Sequence, residues 1–262
     1  MARSKWLTVA KPRPEARLRL VCFPHAGAGG SAYRRWPAML PDWIEVAAAA
    51  LPGREARLRE PAVPALADLL PGLRAGLAAD LEQRPFALLG HSMGALIAFE
   101  LARALDRDGG PVPRALVVSG HRPPHIARPR LDVPAMTGAQ FMTLIAGFGG
   151  TPPELLAQPE LLELFLPVLR ADITLVETYT ELAPGERVPC PVIAYGGAGD
   201  PHATSAEMPG WARYTSAAFR SRTFDGGHFF LHDAPQAVGC LAGDLVAAGA
   251  VPGAPGQRSR CE

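Results

Sequence analysis

Short apolar runs alternate along this chain with longer stretches in which apolar residues recur every three or four positions. Such runs are typical of the buried strands of a parallel sheet, and the periodic stretches are typical of the helices that cover its faces. The pattern therefore predicts an α/β fold with a mostly parallel central sheet. Strands are predicted over residues 17–23, 44–51, 86–89, 115–119, 191–195 and 219–224, and helices over 66–81, 95–105, 205–214 and 235–248.

The alternation stops between about His121 and Pro189, where no strand is predicted. Helical pieces are predicted there instead, over residues 137–148, 153–156 and 159–182, with Asp172 as a candidate break in the last. That last piece is too apolar for a simple surface helix. Because the segment separates two strands of a regular alternation, we predict a helical lid over about residues 122–188. An ordinary pair of core helices is the alternative.

The two ends of the chain differ in composition from the region between them. Residues 1–16 are basic and contain prolines, and we predict a partly ordered arm. Residues 251–262 are rich in proline, glycine and arginine, which predicts a disordered tail. A single α/β domain is therefore expected over residues 17–250.

The strand predicted over residues 86–89 leads into Gly90-His-Ser-Met-Gly94, and a helix-forming run follows at once. A serine between two such glycines, placed between a strand and a helix, is the pattern of a nucleophile elbow. The turn strains the backbone of the serine, and side chains at the glycine positions would clash with the neighbouring elements. Ser92 is therefore the predicted nucleophile, and the N–H groups at the start of the helix suit a developing oxyanion.

Two further side chains follow predicted strands and complete a set of three. Asp200 follows the strand over 191–195, and His228 follows the strand over 219–224. The order serine, aspartate, histidine is that of α/β-hydrolases. His228 is predicted to take the serine proton, and Asp200 to orient the imidazole. Asp225 is disfavoured because it follows a different strand, and His91 is predicted to point away from the serine.

A glycine-rich loop, Pro24-His-Ala-Gly-Ala-Gly-Gly-Ser31, follows the first predicted strand. A phosphate-binding loop is one interpretation, but the spaced glycines or the Gly-Lys-Ser/Thr ending of such loops are missing. The favoured interpretation is a loop that brings a backbone N–H to an oxyanion hole. The predicted donors are the amides of Ala26 and Met93, with Gly27 as the alternative to Ala26. His25 is predicted to stabilise the turn.

Composition and charge limit the partners that the chain is expected to have. The formal net charge is +1, which gives no electrostatic reason to expect nucleic acid or an anionic membrane. No apolar run reaches the ~18–20 residues of a membrane span, and no signal peptide is predicted at the N-terminus. The four cysteines are scattered without metal-like spacing. We therefore expect a reduced, cytoplasmic protein.

Taken together, the motifs of this chain resemble those of the type II thioesterases. These are the stand-alone editing thioesterases of polyketide and nonribosomal peptide assembly lines, related to the medium-chain fatty acyl thioesterase of animals. The match runs in order from about Trp6 to about Leu245. The motifs are Cys22-Phe-Pro-His-Ala-Gly, Leu51-Pro-Gly-Arg54, Gly90-His-Ser-Met-Gly-Ala95, Gly149-Gly-Thr-Pro-Pro153, Leu175-Val-Glu-Thr-Tyr179, Gly199-Asp200 and Gly226-Gly-His-Phe-Phe-Leu231.

The resemblance implies an α/β-hydrolase fold with a mobile helical lid, and hydrolysis of acyl groups from the phosphopantetheine arm of an acyl or peptidyl carrier protein. By position, Ser92, Asp200 and His228 match the catalytic triad, and Ala26 and Met93 match the oxyanion donors. No cofactor is implied, and we expect a monomer. Because carrier proteins are usually acidic, surface arginines are predicted to steer them. The candidates are Arg54, Arg57, Arg59, Arg122, Arg128 and Arg130.

Three other functions stay open on the same fold. A small-molecule esterase would prefer free oxygen esters to carrier-bound thioesters. An acyltransferase or cyclase would share the acyl-serine intermediate but pass the acyl group to an amine or an alcohol. A non-catalytic binding module is disfavoured because a nucleophile, a base and an acid are all present.

Overall fold

A computed structural model of the chain describes residues 4–127, 131–148, 159–181, 183–233 and 235–251, with the backbone alone for residues 159–164. Its strands are β1 (Leu7–Thr8), β2 (Leu18–Phe23), β3 (Ile44–Ala49), β4 (Phe86–His91), β5 (Leu116–Ser119), β6 (Val192–Gly197) and β7 (Phe219–Phe224). They form one sheet in the order β1-β3-β2-β4-β5-β6-β7. Every neighbouring pair is parallel except β1 with β3. The predicted mostly parallel sheet is confirmed.

The apolar pattern does not predict β1, because two residues are too few to show an alternation. β1 lies at the edge of the sheet, where the Trp6 carbonyl accepts a hydrogen bond from the Ala50 N–H at 2.8 Å. The Trp6 ring packs so closely on Gly76 that a side chain at Gly76 would collide with it. The Arg13 guanidinium is buried and donates to the Ile44 carbonyl at 2.7 Å. The described part of the predicted arm thus packs against the domain.

Helices cover both faces of the sheet, because successive side chains of each strand point to opposite faces. Val21 and Phe23 share one apolar core with the first two helices, whereas Leu20 and Cys22 share the other with the last helix. None of the helices in the described ranges is long and apolar enough to cross a bilayer. The helices are α1 (Leu66–Glu82), α2 (Met93–Arg107), α3 (Gly138–Phe148), α4 (Pro159–Thr178), α5 (Phe230–Asp233) and α6 (Pro235–Ala247), with short 3₁₀ helices at Gly30–Tyr33, Trp36–Ala38, Glu55–Arg57, Val133–Ala135 and Met208–Tyr214.

The helical insertion predicted between β5 and β6 contains α3 and α4. The two helices share a small apolar core of their own, which includes Phe141, Ile145 and Ile173. Near its C-terminal end, α4 also reaches the main core through Leu175. The predicted break at Asp172 is wrong, because its carboxylate binds groups outside the helix rather than its own backbone. The predicted helical piece over 153–156 lies outside the described residues.

Candidate active site

Ser92 occupies the turn between β4 and α2. Its backbone angles, φ 53° and ψ −118°, lie in a region that residues other than glycine rarely adopt. A Cβ at Gly90 would collide with the Gly94 carbonyl, and a Cβ at Gly94 would collide with the Phe23 carbonyl at the end of β2. The geometry is that of the predicted elbow. It places the serine at the carboxyl edge of the sheet, where sites form in folds of this class.

The three side chains singled out in the sequence meet at this edge. His228 Nε2 lies 2.9 Å from Ser92 Oγ, and His228 Nδ1 lies 2.8 Å from Asp200 Oδ2. A carboxylate on Nδ1 favours the tautomer in which Nδ1–H donates to the carboxylate and Nε2 accepts from the serine hydroxyl. Asp200 follows β6 and His228 follows β7, so the ends of neighbouring strands bring them together. Asp200, and not Asp225, is the carboxylate that contacts His228.

Asp200 is buried and held by more than the histidine. Its Oδ1 accepts the backbone N–H groups of His202 at 2.8 Å and Ala203 at 3.2 Å. Burial raises the pKa of Asp200, but the hydrogen bonds from His228, His202 and Ala203 outweigh it, and the pKa ends below its usual value. Asp200 is therefore ionised at neutral pH, as a partner that stabilises a positively charged imidazole must be.

Three buried or partly buried histidines, His25, His91 and His232, form a cluster beside His228. The ring of His91 lies 5.4 Å from that of His228 and 5.4 Å from that of His232, and His25 lies 5.0 Å from His232. Burial, together with the neighbouring imidazoles, lowers the pKa of His25 to about 3 and lowers that of His91 as well. His91 Nδ1 lies 3.0 Å from the hydroxyl oxygen of Ser119, so His91 does not bond the nucleophile. These rings form a neutral layer beside His228.

The glycine-rich loop after β2 lies against the elbow, as the contact that Gly94 makes with Phe23 shows. The Gly27 N–H donates to Asp172 Oδ2 at 2.8 Å, so this amide already has an acceptor within the protein. Ala26 is therefore the better placed of the two candidate donors. Sequence reasoning missed the role of Asp172, because 145 positions separate it from Gly27 and leave no local signal.

The helical insertion lies over the histidine end of the site. The Phe148 ring at the end of α3 lies 4.7 Å from the His202 ring, and the His202 ring lies 5.2 Å from that of His228. Among the residues that the structure describes, no cluster of three or more His, Cys, Asp or Glu side chains is arranged to hold a metal ion. That the reaction needs no cofactor stays a prediction.

The arginines predicted to steer a carrier protein fall into different environments. Arg54 and Arg57 are 8% and 6% exposed, and each forms an ion pair, so the prediction that these two are surface arginines is wrong. The structure uses them to join segments of the fold. Arg122 donates to the His202 carbonyl at 3.1 Å. Arg59 is exposed, and positions 128 and 130 lie outside the described residues.

Comparison with known proteins supports the same chemistry. A family model described as a thioesterase domain matches residues 18–242. The chain is 40% identical to linear gramicidin dehydrogenase LgrE of Brevibacillus parabrevis, covering 87% of this chain and 88% of that protein. It is 38% identical to thioesterase PikA5 of Streptomyces venezuelae, covering 87% of this chain and 80% of that protein.

A solved structure shows the same fold. It is that of the type II thioesterase BorB from the borrelidin biosynthetic cluster, which is 33% identical to this chain and superposes with a TM-score of 0.83. The superposition covers 94% of this chain and 99% of BorB. The predicted α/β-hydrolase fold is confirmed, and so is the resemblance to the type II thioesterases.

Proposed function

Because the chain belongs to the thioesterase family, we propose that it hydrolyses acyl groups from the phosphopantetheine arm of acyl or peptidyl carrier proteins. The observation that carries the proposal is the continuous set of hydrogen bonds from Ser92 through His228 to Asp200. The partly buried position of these three side chains beside the helical insertion suits a substrate on a long, flexible arm. The type II thioesterases that the chain resembles supply the substrate class.

The proposed reaction begins with attack of Ser92 Oγ on the thioester carbonyl carbon. A serine hydroxyl is a poor nucleophile at neutral pH, so His228 Nε2 accepts its proton as the new C–O bond forms. Asp200 stabilises the imidazolium that results, which its lowered pKa allows. The negative charge of the tetrahedral intermediate develops on the former carbonyl oxygen.

The backbone amides of Met93 and Ala26 are the proposed donors to that oxygen. Met93 is the first residue of α2, so its N–H has no acceptor within the helix. One such donor is worth about 2.7–4 kcal/mol of transition-state stabilisation.

The intermediate collapses by breaking the C–S bond. His228 gives its proton to the leaving thiolate of the phosphopantetheine arm, which departs as a thiol, and an acyl ester stays on Ser92. His228 then takes a proton from water, which attacks the ester carbonyl. The second intermediate releases the free carboxylic acid, and the proton on His228 returns to Ser92 Oγ. The net reaction adds one water across the thioester.

We also propose an oligomeric state and a cellular compartment for the enzyme. Ser92, His228 and Asp200 all come from one chain, so a monomer suffices, and size-exclusion chromatography with light scattering measures this directly. We place the reaction in the cytoplasm, where carrier proteins are expected to be loaded. Among the arginines predicted to steer the carrier, Arg59 is exposed and keeps that proposed role.

The test uses acetyl, propionyl and longer acyl thioesters on a phosphopantetheinylated carrier protein, with a p-nitrophenyl ester as the carrier-free substrate. Wild-type protein is compared with Ser92→Ala and with Ser216→Ala, whose serine is exposed. We expect the wild type and Ser216→Ala to hydrolyse the carrier-bound thioesters faster than the p-nitrophenyl ester. Ser92→Ala should lose about 10⁴–10⁶-fold in kcat.

Other outcomes separate the alternatives. Turnover of the free ester alone would support a small-molecule esterase, and acyl amides or esters among the products would support an acyltransferase. Full activity of Ser92→Ala would remove the serine mechanism altogether.

A further inference from the structure

A buried ion pair links α4 of the insertion to the segment that follows β3. Asp172 on α4 is 2% exposed and faces Arg54, which lies between β3 and α1. Arg54 Nη1 donates to Asp172 Oδ2 at 2.6 Å, and Arg54 Nη2 donates to Oδ1 at 2.7 Å. Such a two-point pairing fixes the relative orientation of both groups more tightly than a single contact does.

The same two side chains also form hydrogen bonds with the backbone of the loop that follows β2. Asp172 Oδ2 accepts the Gly27 N–H at 2.8 Å, and Arg54 Nη1 donates to the Ala28 carbonyl at 3.1 Å. Gly27 therefore donates a hydrogen bond to the pair, and the next residue, Ala28, accepts one from it. The backbone on the C-terminal side of Ala26 is therefore oriented by groups that belong to α4 and to the Arg54 segment.

Apolar packing strengthens this contact. Leu169, one turn before Asp172 on α4, lies against Gly27 so closely that a Cβ there would be 2.8 Å from Leu169 Cδ1. Ala26 packs against the small core of the insertion. Asp172, Arg54 and Met93 line one small cavity of about 10 Å³. The pair thus lies beside the loop that carries the Ala26 amide.

We propose that Asp172 and Arg54 are positioning residues that hold the Ala26 N–H in the oxyanion hole, so that the hole is complete only when α4 is seated on the loop. The inference rests on the serine mechanism proposed above. Arg54 also has an electrostatic role in the proposed mechanism. A lone carboxylate near a developing oxyanion would oppose catalysis, and the guanidinium neutralises it.

A positioning role and a purely structural role make different predictions. Removing one partner of a buried ion pair is destabilising because the other charge is left unpaired, whereas replacing both by apolar residues is often nearly neutral. If the pair only stabilises the fold, the double variant Asp172→Ala/Arg54→Met should recover both stability and activity. If the pair positions Ala26, the double variant should recover stability while kcat stays low.

The experiment compares Asp172→Ala, Arg54→Met and the double variant with the wild type. Glu177→Gln is the matched control, because Glu177 is also on α4 and its Oε2 accepts the Val133 N–H at 2.8 Å, within the insertion and away from the loop. Stability is measured by thermal unfolding. Activity is measured as kcat and KM on p-nitrophenyl acetate and on an acyl carrier protein. Affinity for a trifluoromethyl ketone reports on the oxyanion hole, because the ketone forms an oxyanion on Ser92.

We expect all three variants to lose about 10²-fold in kcat with KM changed only a few-fold, because a small misplacement of a catalytic group has this effect. Affinity for the trifluoromethyl ketone should fall in parallel, and Glu177→Gln should stay close to wild type. A double variant with wild-type kcat would overturn the inference. So would a loss confined to KM, or an unchanged ketone affinity.

The free ester allows the roles of Asp172 and Arg54 to be tested independently of the proposed carrier-bound substrate. A wild type that cleaves p-nitrophenyl acetate but no carrier-bound thioester contradicts the proposed function, and the variant series on the free ester still tests Asp172 and Arg54. If Asp172→Ala fails to fold, the double variant and Arg54→Met decide the question.

Discussion

The two sides of the active site are held in place by different kinds of interaction. On the sheet side, Ser92, Asp200 and His228 each follow a strand of one continuous sheet, and buried apolar cores lie on both of its faces. On the insertion side, α3 and α4 share a small core, and Leu175 together with several polar side chains connects α4 to the rest of the protein. Asp172 with Arg54 is one such connection, and Tyr179 with Glu100 is another.

The difference shows how each side responds to change. The sheet side is positioned by close backbone approach and by burial spread over many residues, so it tolerates little steric change where two elements touch. The insertion depends more on a few directional contacts, so single substitutions can loosen it without unfolding the domain.

The largest effect on the sheet side is expected from Gly94→Ala. Its Cβ would collide with the backbone carbonyl of Phe23, which cannot move without shifting β2. We expect a loss of about 3 kcal/mol in the free energy of unfolding and about 10²-fold in kcat. Denaturant unfolding and ester hydrolysis measure both. Gly239→Ala is the control, because a Cβ at this exposed position of α6 meets nothing within 4 Å and should be neutral or slightly stabilising. A Gly94→Ala protein as stable as wild type would contradict the close approach.

A change of pH is expected to weaken the sheet side next. The pKa of His25 is about 3 in the folded protein, against 6.5 in an unfolded chain, so between these values the unfolded state binds the extra proton. This contribution to stability is present above pH 6.5 and is lost as the pH falls toward 3. Between pH 7 and pH 5, His25 alone accounts for about 2 kcal/mol.

Unfolding free energies measured from pH 8 to pH 5 check this expectation, with His25→Gln beside the wild type. The variant should show a shallower fall, because one neutral imidazole has been removed, while His91 still contributes in the same direction. A wild-type stability that stays flat or rises between pH 7 and pH 5 would argue against a neutral histidine layer.

The smallest effect is expected on the insertion side, from Tyr179→Phe. The Tyr179 hydroxyl donates to Glu100 Oε1 on α2 at 2.6 Å, and Glu100 keeps its ion pair with Arg103 when the hydroxyl is removed. We expect a loss of about 1–2 kcal/mol and faster proteolysis within the insertion, with little change in the rest of the domain. Thr178→Ala is the control, since the exposed Thr178 hydroxyl donates to the Thr174 carbonyl within α4. Equal proteolysis of both variants would show that this contact does not hold the insertion.

Much of the sheet side could be predicted because its signals are local. Gly90 and Gly94 flank Ser92 within five consecutive residues, and Asp200 and His228 each lie a few residues after a recognisable strand. The burial of Arg54 could not be predicted, because a charged residue in a polar loop looks like a solvated one until its partner is known. That partner, Asp172, lies 118 positions away. The strand Leu7–Thr8 could not be predicted for a related reason, since only pairing with β3 makes two residues a strand.

The amino-acid sequence alone therefore determined the α/β architecture, the elbow and the candidate triad, because apolar periodicity, glycine sterics and strand order act over short stretches of chain. Tertiary structure decided which amides and charges are still available for chemistry. Gly27 and Ala26 are neighbours with the same backbone groups, and only the carboxylate of Asp172, brought over by α4, gives the Gly27 N–H an acceptor. Hydrogen bonds and ion pairs depend on distances of a few ångströms, which the order of residues does not specify when the partners are far apart in the chain.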